Sequence, residues 1–293
     1  MSEALRFAKY HGAGNDFLLI EDLDDRGGIT PGLAAALCDR FRGPGADGVI
    51  RITRGREAPF AMELWNADGG QAEMSGNGMR CVARFLLDRS LTSDTEIAVE
   101  TASGVKRIEV TLDGDRMESA RVDMGPPALE RGRVPMAGPA HERFVGDPFP
   151  DAGPQYRATA VSMGNPHLVL IGQDDLEGLD LARVGPRLEH HPDFPERTNV
   201  EFIRIDDGRI DMRVWERGVG ETLACGTGAC ASLVAANLMG LVGRRAVVRS
   251  AGGDLEVDWA ADDRVYLAGP AVPVYEAEAS PSWLAEVGEA ARR

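Results

Sequence analysis

Two short runs carry the residues best suited to chemistry: "EMSGNGMRC" at 73–81 and "LACGTGAC" at 223–230. Each sets a small nucleophilic side chain, Ser75 or Cys225, directly before Gly-x-Gly, and each then enters a stretch of helical character. A helix start presents unpaired N–H groups and partial positive charge, so it favours anions, carboxylates included. Glycines let a ligand come close to that backbone. A thiol placed there is expected to have a lowered pKa, because the thiolate is the favoured form. Two such starts suit a carboxylate held from both sides, with a proton-transferring side chain on each face of the neighbouring carbon. Inversion at an α-carbon needs that pairing of base and acid.

The elements that must position these loops repeat. Ser75 and Cys225 stand 150 positions apart, as do Asn15 and Asn165, Met62 and Met212, and Trp65 and Trp215. "GAGNDFLLI" (12–20) aligns with "SMGNPHLVL" (162–170), and "MELWNADGG" (62–70) with "MRVWERGVG" (212–220). One shared register reads as two homologous halves, roughly 1–122 and 158–279. The domains expected are 1–122, with the tail 267–293 packing back on it, and 123–266, entered through a Pro-rich segment at 125–155. That segment is read as an irregular connection with short edge strands. Alternating runs predict strands at Ile97–Glu100, Val105–Leu112, Ala120–Met124, Asn199–Ile205 and Ile210–Trp215. Helices are predicted at Pro31–Cys38, Gly78–Asp88, Gly228–Met239 and Pro281–Ala291. The fold class is α+β: two pseudo-symmetric halves, each a mostly antiparallel sheet or barrel around a central helix.

Composition narrows the partners. A net charge of −15 argues against a general nucleic-acid surface. No apolar run approaches the ~18 residues of a membrane span, and the N-terminus lacks the pattern of a signal peptide. Four cysteines, Cys38, Cys81, Cys225 and Cys230, do not look like a disulfide framework, so a cytoplasmic location is expected. Lys9 and Lys106, the only lysines, sit in no phosphate cradle, and nothing suggests a pyridoxal cofactor. No cofactor and no metal are expected.

Taken in order, "KYHGAGNDFLLI", "NADGGQAEMSGNGMRC", "MGNPHLV", "RTNVEF", "WERGVGETLACGTGACA" and "YLAGPAVPVYE" resemble the diaminopimelate epimerase family over nearly the whole chain. The resemblance implies an active site in a cleft between the halves. It also implies cofactor-independent conversion of LL-diaminopimelate to the meso isomer, in lysine and peptidoglycan precursor biosynthesis, by a homodimer. By the same resemblance Cys225, Ser75, His167 and Glu216 match catalytic positions. Asn15, Asn66, Gly76, Asn77, Asn165, Asn199, Glu216, Arg217, Gly226 and Thr227 match substrate-binding ones. Arg217 suits a two-point grip on a carboxylate, and the asparagines offer donors and acceptors for an amino-acid end. The expected substrate is a small amino acid with two carboxylate ends.

One departure stands out: the family carries cysteine in both loops, and here the first slot is Ser75. A hydroxyl needs an adjacent base to lose its proton, and His11, Asp16, Glu73 and His167 are the candidates. Gly48 is a lesser departure, since some members carry glutamine there. Three readings follow: a working epimerase; racemisation or elimination chemistry on another amino acid; and an engineered inactive variant or an amino-acid-binding module. Plainer roles are read for other residues. Cys38, Cys81 and Cys230 are taken as buried small hydrophobes, His190 and His191 as solvated, and Trp65 and Trp215 as core. Gly76-x-Gly78-x-x-Cys81 departs from a dinucleotide fingerprint in its final residue, and no strand leads directly into it.

Overall fold

The computed structural model describes residues 4–72, 74–172 and 175–290. Contacts divide the chain into two compact units, Met1–Val122 with Gly269–Arg293, and Asp123–Ala268. Both are sheet-dominated, with few helices.

The first unit opens with β1 (Leu5–Gly12) and β2 (Asn15–Glu21), then α1 (Pro31–Cys38), β3 (Gly48–Arg54), β4 (Phe60–Asn66) and the short β5 (Gln71–Ala72). Next come α2 (Gly76–Asp88), β6 (Glu96–Thr101), β7 (Gly104–Asp113) and β8 (Arg116–Gly125). The pairings β1–β2, β3–β4, β6–β7 and β7–β8 are antiparallel, whereas β2–β3 and β4–β6 are parallel. α2 is buried from Gly76 to Leu86 and packs against β1, β2 and β7.

The second unit begins with the Pro-rich stretch, which contributes β9 (Asp147–Pro148), one 3-10 turn and isolated bridges such as Ala128 to Ser162. It continues with β10 (Arg157–Ser162), β11 (Pro166–Ile171), α3 (Leu181–Glu189), β12 (Asn199–Asp206), β13 (Arg209–Glu216) and β14 (Gly220–Thr222). After these lie α4 (Gly226–Leu238), β15 (Arg245–Ser250), β16 (Gly253–Trp259) and β17 (Val265–Gly269). Pairing repeats the first unit's order: β10–β11 antiparallel, β11–β12 parallel, β12–β13 antiparallel, β13–β15 parallel, then β15–β16 and β16–β17 antiparallel. α4 is apolar on nearly every side and packs against β10, β11, β12, β13, β15 and β16. Finally β18 (Val272–Ala279) pairs with β1, and α5 (Pro281–Ala290) lays Trp283 and Leu284 on the first unit's core around Leu18, Leu37 and Trp65.

The expected strands all fall inside observed ones. α2 and α4 each begin two residues before the expected starts, because Ser75 and Cys225 are themselves the N-caps. α3 was missed: its sequence contains Gly185 and Pro186, which read as a breaker. Trp215 explains the glycine, since a Cβ on Gly185 would lie 2.3 Å from a ring carbon of Trp215. No helix among the described residues is long and apolar enough to cross a membrane.

Candidate active site

In the first unit, Ser75 caps α2: its Oγ accepts from the Gly78 N–H at 3.1 Å, its one hydrogen-bond partner among the described residues. In the helix's first turn Asn77 is buried and donates through Nδ2 to Asn15 Oδ1 at 3.1 Å. Asn15 passes a hydrogen on to Asp47 Oδ2 at 2.8 Å. Behind it Asp16 is clamped by Lys9 at 2.7 Å and by Arg40, which also binds Asp47. Burial alone would push the Asp16 carboxyl up, but hydrogen bonds from Arg40, Lys9 and Asp47 outweigh it and hold the pKa at about 2. Asp16 is therefore a fixed anion, not a proton acceptor for Ser75. His11 Nδ1 accepts from the Gly14 N–H, and Glu73 lies outside the described residues. Asn66 ends β4 at an exposed turn.

The second unit repeats the helix start with different chemistry. Cys225 caps α4, its Sγ accepting from the Gly228 N–H at 3.4 Å and lying 3.4 Å from Thr227 Oγ1. Asn165 Nδ2 donates to Thr227 Oγ1 at 3.4 Å, and His167 Nε2 lies 2.9 Å from Asn165 Oδ1. Glu216 contacts the thiol, and Thr222 donates its hydroxyl to the Glu216 carboxylate. Asn199 Nδ2 donates to the Pro166 carbonyl, while its Oδ1 accepts from the Arg217 N–H. The half-buried Arg217 donates from Nη1 to the Glu196 carbonyl at 3.1 Å.

The expectation of a lowered Cys225 pKa is corrected. Burial first, then the charges of Glu216 and Glu201, push this thiol well above its ordinary value, against the weaker help of Thr227 and the Gly228 N–H. Desolvation and two carboxylates outweigh a helix start. Burial and the neighbouring Glu201 likewise push the Glu216 carboxyl up. Both shifts favour the protonated forms, through burial and the mutual repulsion of the carboxylates and the sulfur.

Other residues sort plainly. Burial pushes the Cys38 and Cys81 thiols up to about 12, which makes them inert, and Cys230 is fully buried. His191 is not solvated as expected: it binds Asp151 at 2.7 Å and packs on the Phe149 ring. His190 is the more exposed of the pair. Trp65 and Trp215 belong to the two cores. No group of three or more His, Cys, Asp or Glu suited to a metal ion occurs among the described residues. Three residues of these networks were missed: Asp47, Glu189, which anchors Trp215 and the Gly218 N–H, and Glu201. Only Glu201 left a clear signal, as a charged residue amid the apolar run of β12.

The repeated antiparallel–parallel sheet around a central helix is the fold of two-domain epimerases and racemases. A probable proline racemase from Agrobacterium radiobacter K84 superposes with a TM-score of 0.67 at 20% identity, covering 94% of this chain and 93% of that one. A phenazine biosynthesis protein of the PhzF family from Bacillus anthracis gives 0.68 at 16%, covering 95% and 100%. At these identities the likeness concerns fold. Sequence carries it further: residues 7–130 and 159–274 match the family described as diaminopimelate epimerase. Diaminopimelate epimerases from Pelotomaculum thermopropionicum and Desulforudis audaxviator are 47% and 48% identical, covering 94% and 93% of this chain and 98% of each relative. The chain belongs to the diaminopimelate epimerase family, and it is an isomerase.

Proposed function

We propose that this protein inverts one α-carbon of LL-diaminopimelate to give the meso isomer, a step that supplies lysine and peptidoglycan precursors. One observation carries the reading beyond the family match: Cys225 caps a buried helix with Thr227, Glu216 and a buried His–Glu pair behind it. In the reaction the Cys225 sulfur, as thiolate, takes the α-hydrogen, and negative charge grows on the adjoining carboxylate. The N–H groups of Gly226 and Thr227 are suited to that charge, and water exclusion strengthens the interaction. Glu216 is suited to exchanging a proton with the thiol. Ser75 gives its hydroxyl proton to the opposite face and regains one through water as Cys225 releases the proton it took, with Gly76 and Asn77 as helix-start donors. Asn15, Asn66, Asn165, Asn199 and Arg217 bind the polar ends of the substrate, Arg217 taking the distal carboxylate. The comparisons do not favour elimination, racemisation of another amino acid or a mere binding role.

The family resemblance also supports a homodimer. Phe41, Val272, Val274 and Tyr275 expose apolar surface on the first unit that such an assembly would use. Light scattering coupled to size exclusion tests it: a monomer at micromolar concentration overturns this assignment. A cytoplasmic setting is supported by cysteines that form no disulfide among the described residues. The decisive experiment incubates LL-diaminopimelate with the protein in deuterated water and follows the α-proton by NMR. Wash-in with inversion is expected. Wash-in without inversion removes Ser75 from its assigned role, and absence of exchange overturns the function.

A further inference from the structure

Beneath the start of α4 lies a buried pair with no counterpart under α2. The side chains of His167 and Glu201 are both 0% exposed, and Nδ1 lies 2.7 Å from Oε1. Strand register identifies what replaces them in the first unit. β11 pairs with β12 as His167 to Asn199, and β12 with β13 as Val200 to Trp215. β2 pairs with β3 as Phe17 to Gly48, and β3 with β4 as Val49 to Trp65. His167 thus matches Phe17, and Glu201 matches Ile50. The helix glycines give the same answer. A Cβ on Gly228 would meet Glu201 Oε1 at 2.6 Å, and one on Gly78 would meet Ile50 Cδ1 at 3.0 Å. The fold closes with an apolar pair at these positions, so stability does not require the ionisable one. Glu201 Oε2 is moreover buried without a partner among the described residues, a penalty that stability alone would not retain.

From this pair a run of hydrogen bonds reaches the sulfur: Glu201 Oε1, His167, Asn165, Thr227 Oγ1, Cys225 Sγ. Both ring nitrogens of His167 face acceptors, so both bonds form together only when the imidazole carries two hydrogens. Asn165 then donates to Thr227, and the Thr227 hydroxyl hydrogen is left for the sulfur. With a neutral imidazole protonated at Nδ1, the bond to Glu201 is unchanged and every sense from Nε2 to the sulfur reverses. Nε2 needs a donor, the Asn165 amide turns over, and Thr227 gives its hydrogen to Asn165 Oδ1. Thr227 can then only accept from the S–H group. The two arrangements contain the same protons: imidazolium with thiolate, or imidazole with thiol.

We propose that Glu201 is a positioning residue for Cys225: its carboxylate holds the second hydrogen on His167, and the Asn165–Thr227 run thereby points donors at the sulfur and favours the thiolate. The inference rests on reading Cys225 as the proton-handling group. Glu201 acts through His167 and does not touch substrate. The charged or titratable groups facing the thiol are Glu216 on β13 and Glu201 on β12, with His167 on β11 between Glu201 and the sulfur along the run.

A direct effect of the Glu201 charge and an effect through His167 have opposite signs, which makes the proposal testable. A carboxylate near a thiol disfavours its ionisation, so as a mere neighbour its removal in Glu201→Gln would lower the midpoint of Cys225 ionisation. The positioning role requires the midpoint to rise, and alkylation at a fixed pH below it then slows about tenfold for every pH unit by which it rises. The measurement is the pH profile of iodoacetamide labelling at Cys225, resolved from Cys38, Cys81 and Cys230 by peptide mass spectrometry. Glu201→Asp, which keeps the charge, should fall between the two. Turnover of Glu201→Gln should show lowered kcat at unchanged KM. Should Glu201→Gln not fold, Glu201→Ile with His167→Phe, the pair already present under α2, takes its place with the same expected sign. A falling or unmoved midpoint in a protein that still exchanges substrate protons overturns this proposal alone. Wild-type protein without exchange overturns the function it rests on.

Discussion

The starts of α2 and α4 share a backbone and differ in what lies behind it. Both helices have 13 residues, both are capped by a small nucleophilic side chain, and both run along strands paired in one order. Each first turn holds a hydrogen bond between a helix residue and an asparagine at or just before a strand's start, but the sense is opposite. Asn77 donates to Asn15, whereas Asn165 donates to Thr227. Hydrogens in the first unit run away from the helix toward Asp47, and in the second toward the sulfur-bearing turn. Permanent charges terminate the first run, namely Asp16, Lys9 and Arg40. The second ends in the buried His167–Glu201 pair, with Glu216 against the sulfur. A duplicated scaffold thus supplies the helix start twice, over a layer of fixed ion pairs in one unit and a buried His–Glu pair in the other.

The hardest blow to this comparison falls on the reactive side. Cys225→Ala should lower α-proton exchange and inversion of LL-diaminopimelate by about 10²–10⁴-fold, the usual cost of removing a positioned acid–base group. Residual exchange near the wild-type rate would mean that another group abstracts the proton. Restoring chemical likeness between the helix starts comes next. Ser75→Cys replaces a hydroxyl with a group whose anion is far more accessible, so inversion should rise by about 10²-fold. Deuterium wash-in at Cys225 should change much less, and an equal gain in both would show that Ser75 is not confined to one half of the reaction.

Exchanging the supporting layer separates stability from chemistry. His167→Phe with Glu201→Ile installs in the second unit the pair that the first already uses. Replacement of a buried ionic pair by packed apolar groups is neutral or stabilising by about 1–4 kcal/mol. Urea unfolding should therefore show equal or greater stability while inversion is lost. A fall of several kcal/mol would instead make the pair part of the fold.

Much of this contrast was legible in the sequence, for identifiable reasons. The constant offset of 150 linked Ser75 to Cys225 and Asn15 to Asn165, and one sheet order per unit follows from it. Period-two alternation showed in strands with one wet face, such as β7, where burial alternates along much of the strand. α3 stayed hidden because Gly185 and Pro186 are helix breakers in sequence, and Gly185 answers to Trp215, a partner remote in sequence. The sign of the Cys225 shift was also out of reach, since it depends on Glu201 and Glu216 meeting one sulfur from two different strands. Glu201 showed its oddity in "RTNVEF", but its partner His167 is set by parallel pairing, which spacing does not reveal.

The smallest expected effect tests the charged half of the comparison. Asp16 has a folded pKa of about 2 against 3.8 unperturbed, and its carboxylate side chain is only 10% exposed. A depressed carboxyl contributes stability that is fully present above the unfolded value and lost as pH falls through the folded one. Asp16 thus contributes about 2 kcal/mol at neutral pH, and this is lost between pH 3.8 and about 2. Glu216 carries the opposite sign: its folded pKa is raised above 4.5, so its contribution is present below that value and is lost as pH rises through the folded pKa. Denaturation of Asp16→Asn and Glu216→Gln across pH should therefore show opposite trends. Relative to wild type, Asp16→Asn is most destabilised at neutral pH, and its deficit shrinks in acid. Glu216→Gln gains on wild type as pH rises. Parallel profiles for the two variants would mean that the helix starts rest on the same electrostatics after all, and that their difference in reactivity has its origin in Ser75 and Cys225 alone.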